Sequence, residues 1–141
     1  MMFKIVEYNR ELLKDFVYDG VELKLFIKDQ IVPMLEFYNK LGKSYIGLID
    51  NRVIGIGGIY PLWENFGSAW LFLNKEAGRY KKSVFKILIK YMNSLVREYN
   101  LKTLILECIN DSPKAHRLIQ HLGFIKNREI KETLYFKQVR G

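Results

Sequence analysis

Residues 79–109 read RYKKSVFKILIKYMNSLVREYNLKTLILECI, and two periods meet in that stretch. Val84, Leu88, Tyr91, Met92, Leu95, Val96 and Tyr99 recur every three or four positions and form one apolar stripe. That stripe predicts a long amphipathic helix over Arg79–Tyr99, with Lys81, Lys82, Lys86, Lys90 and Arg97 on its other faces. From Leu101 to Ile109 the pattern becomes a near-continuous apolar run, the mark of a strand buried on both faces. The strands before and after the helix, Ser68–Leu73 and Thr103–Ile109, are therefore expected side by side in a mixed sheet covered by helices.

Working outward, Phe3–Tyr8 reads as a short strand and Arg10–Val17 as helical, with Leu12, Leu13, Phe16 and Val17 at helical spacing. Asp19 offers an N-cap for a further helix carrying Leu23, Phe26, Ile27, Ile31, Met34, Leu35 and Tyr38. Pro33 is expected to kink or split it, and Gly42 to stop it. Ser44–Ile49 and Arg52–Tyr60 are β-rich and joined by the turn Asp50-Asn51, a hairpin signal. Pro61–Gly67 reads as a loop. Beyond the central stretch, Ser112-Pro113 starts a helix with Ala115, Leu118, Ile119 and Leu122 on its inner face, ended by Gly123. Phe124–Ile130 and Thr133–Lys137 close the chain as a hairpin. The expected order is β-α-α-β-β-β-α-β-α-β-β, an α/β fold with a mixed sheet.

At 141 residues the chain fits a single domain, 1–141, and can bury a real core. No apolar run approaches the roughly 20 residues of a membrane span, and the N-terminus lacks a signal peptide's apolar core. The lone Cys108 excludes an internal disulfide and a multi-cysteine zinc site, so no metal is expected. These features fit one soluble domain, most simply cytoplasmic. The net charge of +8 is uneven: residues 1–78 sum to −1 and residues 79–141 to +9. That asymmetry suits a polyanionic partner or a solvated basic helix face, and charge alone does not choose between them.

The element order, together with Ala115-His116-Arg117-Leu118-Ile119-Gln120-His121-Leu122-Gly123-Phe124, resembles the GCN5-related N-acetyltransferase (GNAT) superfamily, whose fourth helix commonly ends in Gly-Phe. The stretch from Ala69-Trp70-Leu71 to Phe124 is also similar to the acetyltransferase-like internal virion proteins of short-tailed phages. The GNAT resemblance implies acetyl-coenzyme A (acetyl-CoA) held between the fourth and fifth strands, with Leu71, Phe72 and Leu73 along its pantetheine arm. It places the pyrophosphate at Gly78, Arg79, Tyr80, Lys81, Lys82 and Ser83, where helix-terminal N–H groups bind anions. Of the family's glycine-rich loop only Gly78 survives, and Arg79, Lys81 and Lys82 stand where direct charge can replace lost backbone contact. Residues 79–102 sum to +6, which suits the cofactor and equally suits solvated lysines on a fold that no longer binds it.

Acetyl transfer to an amine needs a base, an oxyanion donor and an acid for the thiolate. The tyrosine that serves as acid in many family members is matched by Ile119, and the helix-four asparagine by Ser112, which is carried over as a cofactor contact. Glu107 on the fifth strand is the candidate base, or else a strand carboxylate facing solvent or pairing with Lys102. Tyr135 is the candidate acid, with Tyr60 as a second, although strand tyrosines usually pack. Trp63 and Glu64 are candidate substrate contacts, against the ordinary reading of loop charge and aromatic packing; Trp70 and Phe66 join them in an expected groove. His116 and His121 read as surface histidines, and Cys108 as a small core residue.

Three functions follow as expectations. The first is an acetyl-CoA-dependent N-acetyltransferase acting on a protein or small-molecule amine. The second is a non-catalytic GNAT-fold phage accessory or virion-associated protein that binds proteins, in the host cytoplasm or the virion. Third is nucleic-acid binding through the basic helix, which no recognised motif supports.

Overall fold

The computed structural model describes residues 2–16, 28–107, 117–118, 120–126 and 134–138. Strands β1 (Phe3–Glu7), β2 (Lys43–Ile49), β3 (Arg52–Trp63), β4 (Phe66–Leu73), β5 (Thr103–Glu107), β6 (Ile125–Lys126) and β7 (Leu134–Gln138) form one sheet in the order β1-β2-β3-β4-β5-β7-β6. All neighbours are antiparallel except β4 and β5, which run parallel and are linked by helix α2 (Lys81–Glu98). The two strands flanking the long helix do lie side by side, as its pattern predicts. A parallel pair needs such a crossover, and an amphipathic helix supplies it.

Each face of the sheet has its own core. On one face, Leu35 of helix α1 (Lys28–Leu41) packs with Leu13 and Phe16, from and beside the 3-10 helix Arg10–Asp15, against Ile46, Ile56, Trp70 and Phe72. On the other, Leu95 and Val96 of α2 meet Leu104, Leu106, Leu122 and Phe124. Alternation along β4 divides the work, with Trp70 and Phe72 in the α1-side core and Ala69 in the α2-side core.

Several local expectations need correcting. Pro33 neither splits nor ends α1, which runs through it to Leu41. Pro33 is exposed, while the fully buried Leu35 and the stacking of Tyr38 on Tyr60 (5.1 Å) hold the following turn against the sheet. Gly42 does end the helix, without the positive φ of a glycine cap; close approach to β3 is what requires glycine there. Residues 61–67 are not a loop. β3 runs to Trp63 and β4 starts at Phe66, so only Glu64-Asn65 turn, with Asn65 at φ 63°. The carbonyl of Asn65 accepts from the amides of Lys102 (2.8 Å) and Thr103 (3.0 Å), which ties this tip to the start of β5. Arg10–Asp15 is 3-10 rather than α-helical, and α2 begins at Lys81 rather than Arg79. Asp50 and Asn51 both have positive φ (48° and 67°), the two-residue hairpin turn their identities predict.

Asp19, Leu23, Phe26 and Ile27, the Ser112-Pro113 helix start, Ala115, His116, Ile119, Cys108 and Ile109 lie outside the described residues. No helix among the described residues is long and apolar enough to cross a membrane.

Candidate functional site

Strands β4 and β5 part company halfway along β4. Their register pairs Phe66 with Thr103, Gly67 with Leu104, Ser68 with Ile105 and Ala69 with Leu106. β4 then continues through Trp70–Leu73 on β3 alone, while Glu107 of β5 pairs with Leu134 of β7. Past Ala69 and Leu106 the sheet is therefore forked. Among the described residues, the β4 edge past Ala69 carries backbone donors and acceptors without a β5 partner, which an extended amide-bearing ligand can pair with.

The chain leaves the end of β4 straight into the approach to α2. Asn74 organises the turn: its side chain accepts from the Ala77 amide (3.1 Å) and donates to the Val53 carbonyl (3.0 Å). A 3-10 helix, Lys75–Tyr80, follows and passes directly into α2. Tyr80 at the N-cap position of α2 makes no side-chain capping bond, and the first turn contains no acid. Arg79, Lys81 and Lys82 are exposed around this end, and a side chain added at Gly78 would meet nothing within 4 Å. An uncapped helix N-terminus ringed by cations, with open space before it, suits a phosphate group.

This turn is fastened to the sheet by Arg52 of β3. Its guanidinium donates to both carboxylate oxygens of Glu76, at 2.7 and 3.1 Å. The Arg52 hydrogen bond holds the Glu76 carboxyl below the ordinary carboxylate range, and the same bond raises Arg52. A carboxylate whose folded pKa is lowered stabilises the fold fully above its unfolded pKa, and the contribution is lost as pH falls through the folded value. Glu76→Gln is therefore expected to lower the melting temperature by about 2 °C at neutral pH, the scale of a largely exposed pair. The gap should narrow as pH falls below the ordinary glutamate value of about 4.3 and close once the folded carboxyl is protonated. Thermal melts of both proteins across that range check this.

No protein-family model and no curated protein matches the sequence. Solved structures do match the fold. An acetyltransferase from Streptococcus agalactiae superposes with TM-score 0.75 at 18% identity, covering 97% of this chain and 98% of its own. A GNAT-family acetyltransferase from Staphylococcus aureus gives 0.73 at 20% identity, covering 99% and 100%. A GNAT-family acetyltransferase from Elizabethkingia anophelis with acetyl-CoA bound gives 0.62 at 16% identity, covering 97% and 98%. This is the GNAT fold.

On that fold the candidate residues fall into separate groups. Leu71, Phe72 and Leu73 lie on the forked part of β4; Leu71 and Leu73 are half-buried, whereas Phe72 is buried in the α1-side core and offers the fork its backbone. Gly78 to Ser83 form the basic turn at the end of the same strand. Glu107 and Tyr135 stand on neighbouring strands beside the fork, since Glu107 pairs with Leu134 and Leu106 with Tyr135. Ser112 lies outside the described residues. Trp63 and Glu64 are not brought to the fork: they sit at the exposed tip of the β3–β4 hairpin, at the other end of β4 from the basic turn. Trp63 stacks there on Phe66 at 4.4 Å. Trp70 does not join them in a groove, being buried beside Tyr38 and Phe72.

Sequence reading missed the Arg52–Glu76 clasp and the glycines of the two central strands. The ring of Tyr60, the second candidate acid, stacks on Tyr38. The Gly55-Ile56-Gly57-Gly58 run was the available signal, because glycine weakens a strand interior unless something must come close to it.

Proposed function

We propose that this chain is an acetyl-CoA-dependent N-acetyltransferase acting on an amine of a protein or small molecule. The observation that carries the proposal is the β4–β5 fork with the uncapped, cation-ringed start of α2 at the end of its β4 arm. In this reading the backbone of Leu71–Leu73 pairs with the pantetheine amides, and Gly78, Arg79, Tyr80, Lys81, Lys82 and Ser83 hold the pyrophosphate. Ser112 is a further cofactor contact. The cofactor supplies an activated acetyl group: the C–N bond to the acceptor forms, the C–S bond breaks, and the proton lost by the amine matches the one gained by the thiolate. Glu107 is assigned to receive the amine's proton and Tyr135 to supply the thiolate's; both stand on the strands β5 and β7 that border the fork. Trp63 and Glu64 serve the acceptor only if it is large enough to reach the hairpin tip, which favours a protein or peptide in that role.

One observation favours a second reading, a non-catalytic phage accessory or virion-associated protein on the same fold. Gly78 is the only glycine left in the pyrophosphate turn. Thiol release from acetyl-CoA, measured against a panel of peptide and small-molecule amines, separates the two. Acceptor-dependent release that Glu107→Gln abolishes supports the enzyme. Cofactor binding with no release on any amine supports the second reading.

A further inference from the structure

Beneath α2 lies an apolar cavity of about 120 Å³. Its floor is the sheet, where Gly47 and Gly55 face each other across β2 and β3 and Gly57 pairs with Tyr45. Its roof is α2, through Val84, Ile87, Leu88 and Tyr91. Three glycines in two central strands are costly, because a strand-interior glycine loses backbone entropy and packs nothing. Leu73 and Leu71 take up the room at two of them, with side-chain carbons 2.6 and 3.0 Å from where the Cβ atoms of Gly55 and Gly57 would stand. Gly47 keeps its space: a Cβ there meets nothing nearer than 3.4 Å.

The cavity is continuous with the fork. Ala69 and Leu106, the last β4–β5 pair before the strands separate, both line it, as does Leu71 on the free β4 arm. A group lying at the fork therefore has an apolar recess beside it, running under the helix. Cavities of roughly 150 Å³ lined by aliphatic and aromatic side chains stay dry and accept a six-carbon ring, so this one has room for about four or five carbons. An acetyl group cannot fill that space.

We infer that the recess under α2 holds the alkyl end of an acyl chain longer than acetyl, so that the protein takes thioesters of short- to medium-chain acids, to about six carbons. The inference rests on the proposed cofactor site and names the acyl group that the site selects.

The test is binding, read by calorimetry and by thermal shift, of free coenzyme A and its acetyl, butyryl, hexanoyl and decanoyl thioesters. Each buried methylene is expected to tighten binding about three- to fourfold, so hexanoyl should exceed acetyl by roughly a hundredfold, with no further gain at decanoyl. Gly47→Val, which fills the recess from β2, should erase the gain and leave acetyl-CoA affinity unchanged; Ile87→Phe, filling it from α2, repeats the test should the first variant fold poorly. Equal affinity for all thioesters, or tightest binding of acetyl, overturns the inference and leaves the acetyltransferase reading standing. Binding of none of them, free coenzyme A included, overturns both.

Discussion

Gly42→Ala is expected to cost about 3 kcal/mol and lower the melting temperature by about 10 °C. An added Cβ would stand 2.2 Å from the Ile59 carbonyl oxygen and 2.5 Å from the Tyr60 Cα. Both neighbours are backbone in the middle of β3, so no rotamer change relieves the contact. Either the end of α1 lifts or β3 bends. Lifting α1 loosens the Tyr38 ring from Tyr60 and Trp70. Gly78 is the contrast, since its missing side chain would have open space and its φ is not positive. Thermal melts of the two alanine variants should separate a glycine required by the fold from one that the fold does not need.

The second large effect is on binding. Lys81→Glu/Lys82→Glu is expected to weaken acetyl-CoA binding about a hundredfold at low ionic strength, less as added salt screens exposed charge. Both lysines are exposed at the start of α2, and neither is in an ion pair among the described residues. Reversal puts two negative charges where the reading places the pyrophosphate. The fold should tolerate it, because glutamate in the first turn of a helix is favourable toward the helix dipole. The double variant should melt within about 2 °C of the parent, which keeps lost binding distinct from lost structure.

The fold was legible where periodicity was strong. The stripe from Val84 to Tyr99 and the apolar run after it fixed the crossover, and Asp50-Asn51 fixed a hairpin. Reading failed where tertiary contact overrides local chemistry. Pro33 looks like a breaker, yet the packing of Leu35 and Tyr38 carries the helix past it. Pro61 and Gly67 look like a loop, yet they pair with each other across β3 and β4. For the site, the GNAT resemblance pointed to the turn before the long helix, and its charges fit that place without singling it out. The resemblance also named the two strands that flank the fork, but not where they part, because a strand's choice of neighbour beyond Ala69 leaves no trace in its composition. Nor did it show the recess, which depends on where Leu71 and Leu73 lean over glycines of another strand.

Calorimetric titration of the purified protein with acetyl-CoA decides whether the basic turn and the fork hold the cofactor. The expected result is saturable binding of one molecule per chain, with a Kd on the order of 10 μM, lost in Lys81→Glu/Lys82→Glu. No heat at near-millimolar acetyl-CoA, from protein that melts cooperatively, would contradict it.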